Sequence, residues 1–190
     1  LFLVSLKDKK KIYLYKKNNN VERINILSDH LKNKFIFILF RKPINQAFSL
    51  LKQHKHFTKL QLENSFVLEY MNLLCHNEFG LNHKPLFDKN FKSDFDKNNI
   101  NYWLDYWIFI YTKVVKFTET KQDLFFLSYE NLKMNPEIQL NKISRIIDEK
   151  FEFKNSQIFN KYDAEIPYKV DNKKLKIAND LYSFIKNYEI

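Results

Sequence analysis

The sequence predicts an α/β domain, a parallel sheet with crossover helices. Three observations predict it. Phe35–Phe40 is an unbroken run of apolar residues, as a strand covered on both faces requires. Leu124–Leu127 is a second such run. Helical apolar spacing occupies the stretches around them, so the chain reads strand, helix, strand, helices, strand, helix.

Each element follows from its residues. Ile12–Tyr15 reads as a short buried strand, β-branched and aromatic between Lys and Asn. Asn18-Asn19-Asn20 reads as a loop, because Asn favours turns. Val21–Leu31 then becomes helical, with Ile24, Leu27 and Leu31 on one face. After Phe35–Phe40, Pro43 suits the first turn of a helix, where its missing N–H costs nothing. Ala47, Leu50, Leu51 and His54 continue that helix. Residues 61–79 form another helical segment, with Phe66, Val67, Tyr70, Met71 and Leu74 on one face. The single glycine, Gly80, falls at its end, where a left-handed cap is wanted. Residues 81–100 are polar, contain Pro85, and read as a surface loop or lid.

Asn101 is expected to cap a helix through about Phe117, with Trp103, Trp107, Ile110 and Val114 as its apolar face. Leu124–Leu127 follows, then the loop Ser128-Tyr129-Glu130. Asn135-Pro136 opens a helix with Leu140, Ile143 and Ile147 inward, and a last helix runs from about Lys174 to Tyr188. There is no internal repeat and no domain boundary, so residues 1–190 read as one domain.

The bulk composition narrows the class. A chain of 190 residues can bury a sizeable core, and 45% hydrophobic with 17% aromatic residues excludes a disordered chain. No apolar run approaches the roughly 18 residues a membrane span needs. Leu1–Leu6 is too short for the apolar region of a signal peptide and lacks a basic leader. One cysteine, Cys75, excludes an internal disulfide. It reads as a small buried hydrophobe in a reducing compartment, which points to the cytoplasm. The net charge is +10, from 32 Lys and Arg against 22 Asp and Glu. That balance attracts polyanions. A chain rich in Lys, Asn, Ile, Phe and Tyr with one Gly is also what an AT-rich coding sequence writes on any fold, so the charge alone does not call for nucleic acid.

In open parallel sheets ligands sit beyond the carboxyl ends of the strands. Three loops are expected there: Lys16–Asn20, Arg41–Pro43 and Ser128–Glu130. Arg41 follows the apolar run directly and stands beside a helix start, whose dipole favours an anion. Its guanidinium can grip a phosphate through two parallel hydrogen bonds, and the Ser49 hydroxyl can donate to the same group. The plainer alternative leaves Arg41 in a strand-end salt bridge and Ser49 an ordinary helix residue.

Phe35-Ile-Phe-Ile-Leu-Phe-Arg-Lys-Pro43, with Ala47, Ser49 and Leu50-Leu51, resembles the 3′-phosphate-binding segment of sulfotransferases. That family shows an apolar strand, Arg-x-Pro, and a Ser eight residues after the Arg. Leu124-Phe-Phe-Leu-Ser-Tyr-Glu-Asn-Leu-Lys-Met-Asn-Pro136 is similar to the family's strand ending in Tyr-Glu-Asp/Asn-Leu. The resemblance implies a three-layer, P-loop-transferase-like domain and the donor 3′-phosphoadenosine 5′-phosphosulfate. Arg41 and Ser49 would hold the donor's 3′-phosphate, and Tyr129 would lie near the adenosine. The acceptor would be a hydroxyl or amine on a small molecule, glycan or protein, with no metal and no nucleic acid involved.

The third loop departs from the pattern. Lys17-Asn18-Asn19 stands where many sulfotransferases carry Lys-Thr-His or Lys-Thr-Pro, about 22 residues before Arg41. Lys17 can still stabilise charge on the bridging oxygen, but Asn19 cannot abstract a proton. His76 and His83, near Glu78, are candidates for the base, or else a helix-end and a loop histidine. His54-Lys-His56 and the His76/His83 pair lack Cys or Asp at ligand spacing, which argues against zinc. Trp103 and Trp107 read as core rather than as an acceptor lining. The family's phosphosulfate loop, which follows its first strand, has no counterpart before Arg41. Beginning at Leu1, the chain is therefore read as the C-terminal portion of such a domain, not expected to transfer sulfate alone. The alternative of another class is a non-catalytic basic module for nucleic acid or another polyanion, with its lysines on one face. A different phosphoryl- or glycosyl-transferring enzyme would need a Gly-Lys-Ser/Thr loop or an Asp pair, and neither is visible.

Overall fold

Two parallel strands order the chain, and helices pack around them. The computed structural model describes residues 15–16, 18–87, 89–118, 123–149 and 166–190. A 3-10 turn, Asn18–Arg23, leads into helix α1, Ile24–His30. Strand β1, Ile36–Phe40, is followed by α2, Pro43–Glu63, and α3, Ser65–Leu73. After an irregular stretch come α4, Ile100–Thr118, and β2, Leu124–Ser128. Helices α5, Tyr129–Met134, α6, Pro136–Ile147, and α7, Asn172–Lys186, complete the described chain. Among the described residues this is a mixed α/β structure, mostly helical, with a small sheet.

β1 and β2 pair in parallel, from Ile36 opposite Leu124 to Phe40 opposite Ser128. Glu189 adds a single bridge to Phe126. Side chains alternate across the sheet, so Phe40 and Phe126 share the covered face and Leu39 takes the other. Phe40 is fully buried, whereas Leu39 is 49% exposed. The expectation that β1 is covered on both faces is not met among the described residues.

The core lies where α4 packs against both α2 and α7. Trp103, Leu104, Trp107 and Val114 of α4 are buried, at the spacing of one helix face. The facing helices present Ala47 and Leu51 of α2 and Ala178 and Ile185 of α7, all buried. Trp107 Nε1 donates to Gln46 Oε1 at 3.1 Å, and the Tyr111 hydroxyl donates to the Leu39 carbonyl at 3.1 Å. These bonds tie α4 to α2 and β1 with their polar atoms satisfied. Lys174 of α7 reaches Asp105 of α4 at 2.6 Å.

Several boundaries differ from the sequence reading. The loop Asn18–Asn20 lies within the 3-10 turn. The segment 61–79 is divided at Asn64, whose side chain accepts from the Phe66 N–H and starts α3. α3 buries none of its residues, and Phe66 and Tyr70 stack in the open at 5.8 Å. Its end is marked by Cys75 at φ 55°, not by Gly80. Cys75 at that turn is exposed, which corrects its reading as a buried hydrophobe. α4 is capped by Asn99, whose side-chain oxygen accepts from the Asn101 N–H at 2.9 Å. Asn101 is buried instead, accepting from Asp171 N–H at 2.8 Å and donating to the Lys169 carbonyl. Ser128-Tyr129-Glu130 is a helix start rather than a loop, since the Ser128 hydroxyl accepts from the Asn131 N–H and caps α5. Among its described residues the stretch 81–99 forms no helix or strand, and it is packed rather than free: Phe91 meets Tyr102, Tyr106 and Phe109 of α4. Most of the predicted strand Ile12–Tyr15 lies outside the described residues.

Candidate anion-binding site at the strand ends

The register of the sheet builds the site. Phe40 lies opposite Ser128, so the next residues, Arg41 and Tyr129, leave the sheet at the same end. The Arg41 guanidinium stacks over the Tyr129 ring, 4.8 Å from its centre. Arg41 Nη1 donates to Ser49 Oγ at 3.0 Å. Accepting that bond leaves the Ser49 hydroxyl proton free to point elsewhere. Arg41 Nε is buried without an acceptor, and among the described residues no carboxylate pairs with this guanidinium. A positively charged fork is thus fixed in place and left uncompensated, as an oxyanion site requires. The salt-bridge alternative for Arg41 finds no partner here.

A cavity of about 70 Å³ opens beside it, lined by Arg41, Asn45, Phe48, Ser49 and Lys52. Asn45, Ser49 and Lys52 lie four and three residues apart on α2, so they share one helix face. Sequence reading missed Asn45, Phe48 and Lys52, although this polar stripe beside Arg41 was its available signal. It also missed Glu130. The Glu130 carboxylate accepts from the Lys42 N–H at 2.9 Å, from the Ser128 hydroxyl at 3.3 Å and from the Tyr182 hydroxyl at 3.2 Å. It closes the start of α2 with a negative charge, and Pro43 offers no N–H. The helix start therefore contributes less than the sequence implied, and side chains carry the site. Burial and then the Glu130 charge push the Tyr182 hydroxyl up to about 12, so it stays a donor.

The structure brings Arg41, Ser49 and Tyr129 together, but not His76 or His83. Lys17 lies outside the described residues. His83 and His54 pack at ring centres 5.5 Å apart. His54 is eleven residues beyond Pro43 on α2, about 17 Å by helix rise. His83 is bound through both ring nitrogens, to the Glu78 carbonyl at 2.7 Å and the Tyr102 hydroxyl at 2.9 Å. His76 sits 3.5 Å from Glu78, half exposed. His54 is fully buried, and its Nδ1 accepts the Gly80 N–H at 3.2 Å. Burial, and then the charge of His83, pull His54 down to about 4, so it is neutral at pH 7.

A second, wider concavity of about 390 Å³ is lined by Asp96, Asn98, Asn99, Ile100, Tyr168 and Lys169. Its carboxylate, Asp96, accepts the Asn98 N–H and Nδ2, which hold it below the usual range. Among the described residues no three His, Cys, Asp or Glu gather as a metal site, and no helix is long and apolar enough to cross a membrane.

No family model matches the chain, and no curated protein matches it. Among solved structures it is similar to the sulfotransferase domain from the curacin biosynthetic pathway. The identity is 13% and the TM-score 0.47, over 85% of this chain. The chain spans 57% of the length of that neighbour.

Proposed function

We propose that Arg41, Ser49 and Tyr129 form the 3′-phosphate subsite for 3′-phosphoadenosine 5′-phosphosulfate in a sulfotransferase of three-layer, P-loop-like architecture. The observation that carries this reading is the Arg41 guanidinium, stacked on Tyr129 and bonded to Ser49 at 3.0 Å, at the carboxyl end of both strands. The residues fit the group: Nε of Arg41 lacks an acceptor, and the Ser49 proton is available to a phosphate oxygen. The Arg-x-Pro and Tyr-Glu-Asn-Leu segments support the same reading from the sequence. Because Arg41 covers one face of Tyr129, the adenosine would meet that ring at its other face or edge.

In the reaction so inferred, an acceptor oxygen or nitrogen attacks the donor sulfur in line. The bond from sulfur to the bridging oxygen breaks, and 3′,5′-adenosine bisphosphate leaves. Arg41 and Ser49 anchor the nucleotide far from the sulfur, so their binding energy positions the donor. Lys17 would steady charge on the bridging oxygen.

Calorimetry with 3′,5′-adenosine bisphosphate tests the binding half of this reading without requiring turnover. Arg41→Ala is expected to weaken binding by about tenfold to a hundredfold, the worth of charge-assisted hydrogen bonds, with an unchanged circular dichroism spectrum. Equal affinity of the two proteins for the bisphosphate would sink the assignment.

A further inference from the structure

We propose that Lys52 makes this pocket select a doubly charged phosphomonoester over a singly charged phosphate ester. The inference rests on the anion-binding reading of Arg41 and Ser49 and adds a ligand preference to it.

Lys52 lines the same cavity as Arg41 and Ser49, one helical turn beyond Ser49. Its ammonium lies over the Phe48 ring, 5.7 Å from the centre, and Phe48 is itself held against Tyr168 at 5.9 Å. The aromatic ring therefore gives the flexible side chain a resting place at the cavity wall. Among the described residues no carboxylate pairs with Lys52, just as none pairs with Arg41. The nearby acid, Glu130, is engaged by Lys42, Ser128 and Tyr182. Two cations without a carboxylate partner among the described residues thus line one cavity of about 70 Å³. A terminal phosphate with three free oxygens and two charges matches them: Arg41 takes an oxygen pair, Ser49 donates once, and Lys52 meets the remaining oxygen as a point charge. Esterifying that oxygen removes one charge and leaves Lys52 facing a methyl group or a chain. Asn45, one turn before Ser49, can donate but adds no charge, so the preference falls to Lys52.

The test uses adenosine 3′-phosphate and its 3′-methyl ester as calorimetric ligands for the full 190-residue chain. Wild type is expected to prefer the monoester by about tenfold, Lys52→Gln to lose that preference, and Lys52→Arg to retain it. Arg41→Ala is expected to weaken both ligands. Equal binding of the two ligands by wild type, or an intact preference in Lys52→Gln, overturns the role of Lys52 while leaving Arg41 standing. Failure of wild type to bind either ligand, or indifference to Arg41→Ala, overturns both readings. Lys52 is on the solvent side of α2, so the substitution leaves the core untouched.

Discussion

Gly80 carries more than its place in the chain implies. It has φ of 87°, where a side chain is strained, and a Cβ there would collide with the Gln61 amide. That amide is in use, since Gln61 Oε1 accepts the Leu81 N–H at 2.7 Å. Gly80→Ala is expected to lower stability by about 3 kcal/mol, read as a shift of the urea midpoint at constant slope. Arg41 is a different kind of residue, in that its stacking and the burial of its Nε leave a charge with no carboxylate partner among the described residues. A side chain held this way costs stability unless something fills it, because a buried donor without an acceptor is penalised by about 1–3 kcal/mol. Sequence reading found Arg41 and Ser49 because the strand-to-Pro junction and the eight-residue spacing are local. It missed Glu130 as their neighbour because 88 residues separate it from Lys42.

At the level of elements, caps decide where helices begin. Asn99, not Asn101, caps α4, and each Asn has a separate task. Asn99→Ala is expected to cost about 1 kcal/mol, as loss of a cap does. Asn101→Ala is expected to cost about 2 kcal/mol, because it strands the Asp171 N–H and the Lys169 carbonyl. Thermal unfolding of both variants separates the two roles; equal costs, or a larger one for Asn99, would contradict the assignment. Apolar periodicity placed α1, α2 and α6 but not α5, and the position of α4 was legible in the same way. Its first residue was not, because Asn at three neighbouring positions, 98, 99 and 101, offers the same chemistry. α3 shows the reverse case: its apolar face was legible, but packing left Phe66 and Tyr70 exposed at 65% and 51%.

Across the whole molecule, α2 links two distinct polar centres. At its start stand Arg41, Ser49 and Glu130; further along, His54 is buried against His83 and Trp103. Folding holds His54 near pKa 4, whereas the unfolded chain protonates it near 6.5. Stability from this residue is therefore fully present above about pH 6.5 and declines as pH falls toward 4, by about 3 kcal/mol in all. His54→Gln, which can still accept the Gly80 N–H, is expected to remove that slope from a pH series of urea midpoints; an unchanged slope would place its origin elsewhere. The sequence by itself determined the alternation of β1, α2, α4, β2 and α6, and the placing of Arg41 and Tyr129 directly after two strands. Those features depend on neighbours within a few turns of the chain. Only the tertiary structure decided that Phe40 aligns with Ser128, which sets Arg41 on Tyr129, and that Glu130 closes the start of α2. It likewise packed His83 against the buried His54, far along α2 from Arg41. Register and side-chain packing join residues tens of positions apart, and no local pattern encodes which distant partner wins.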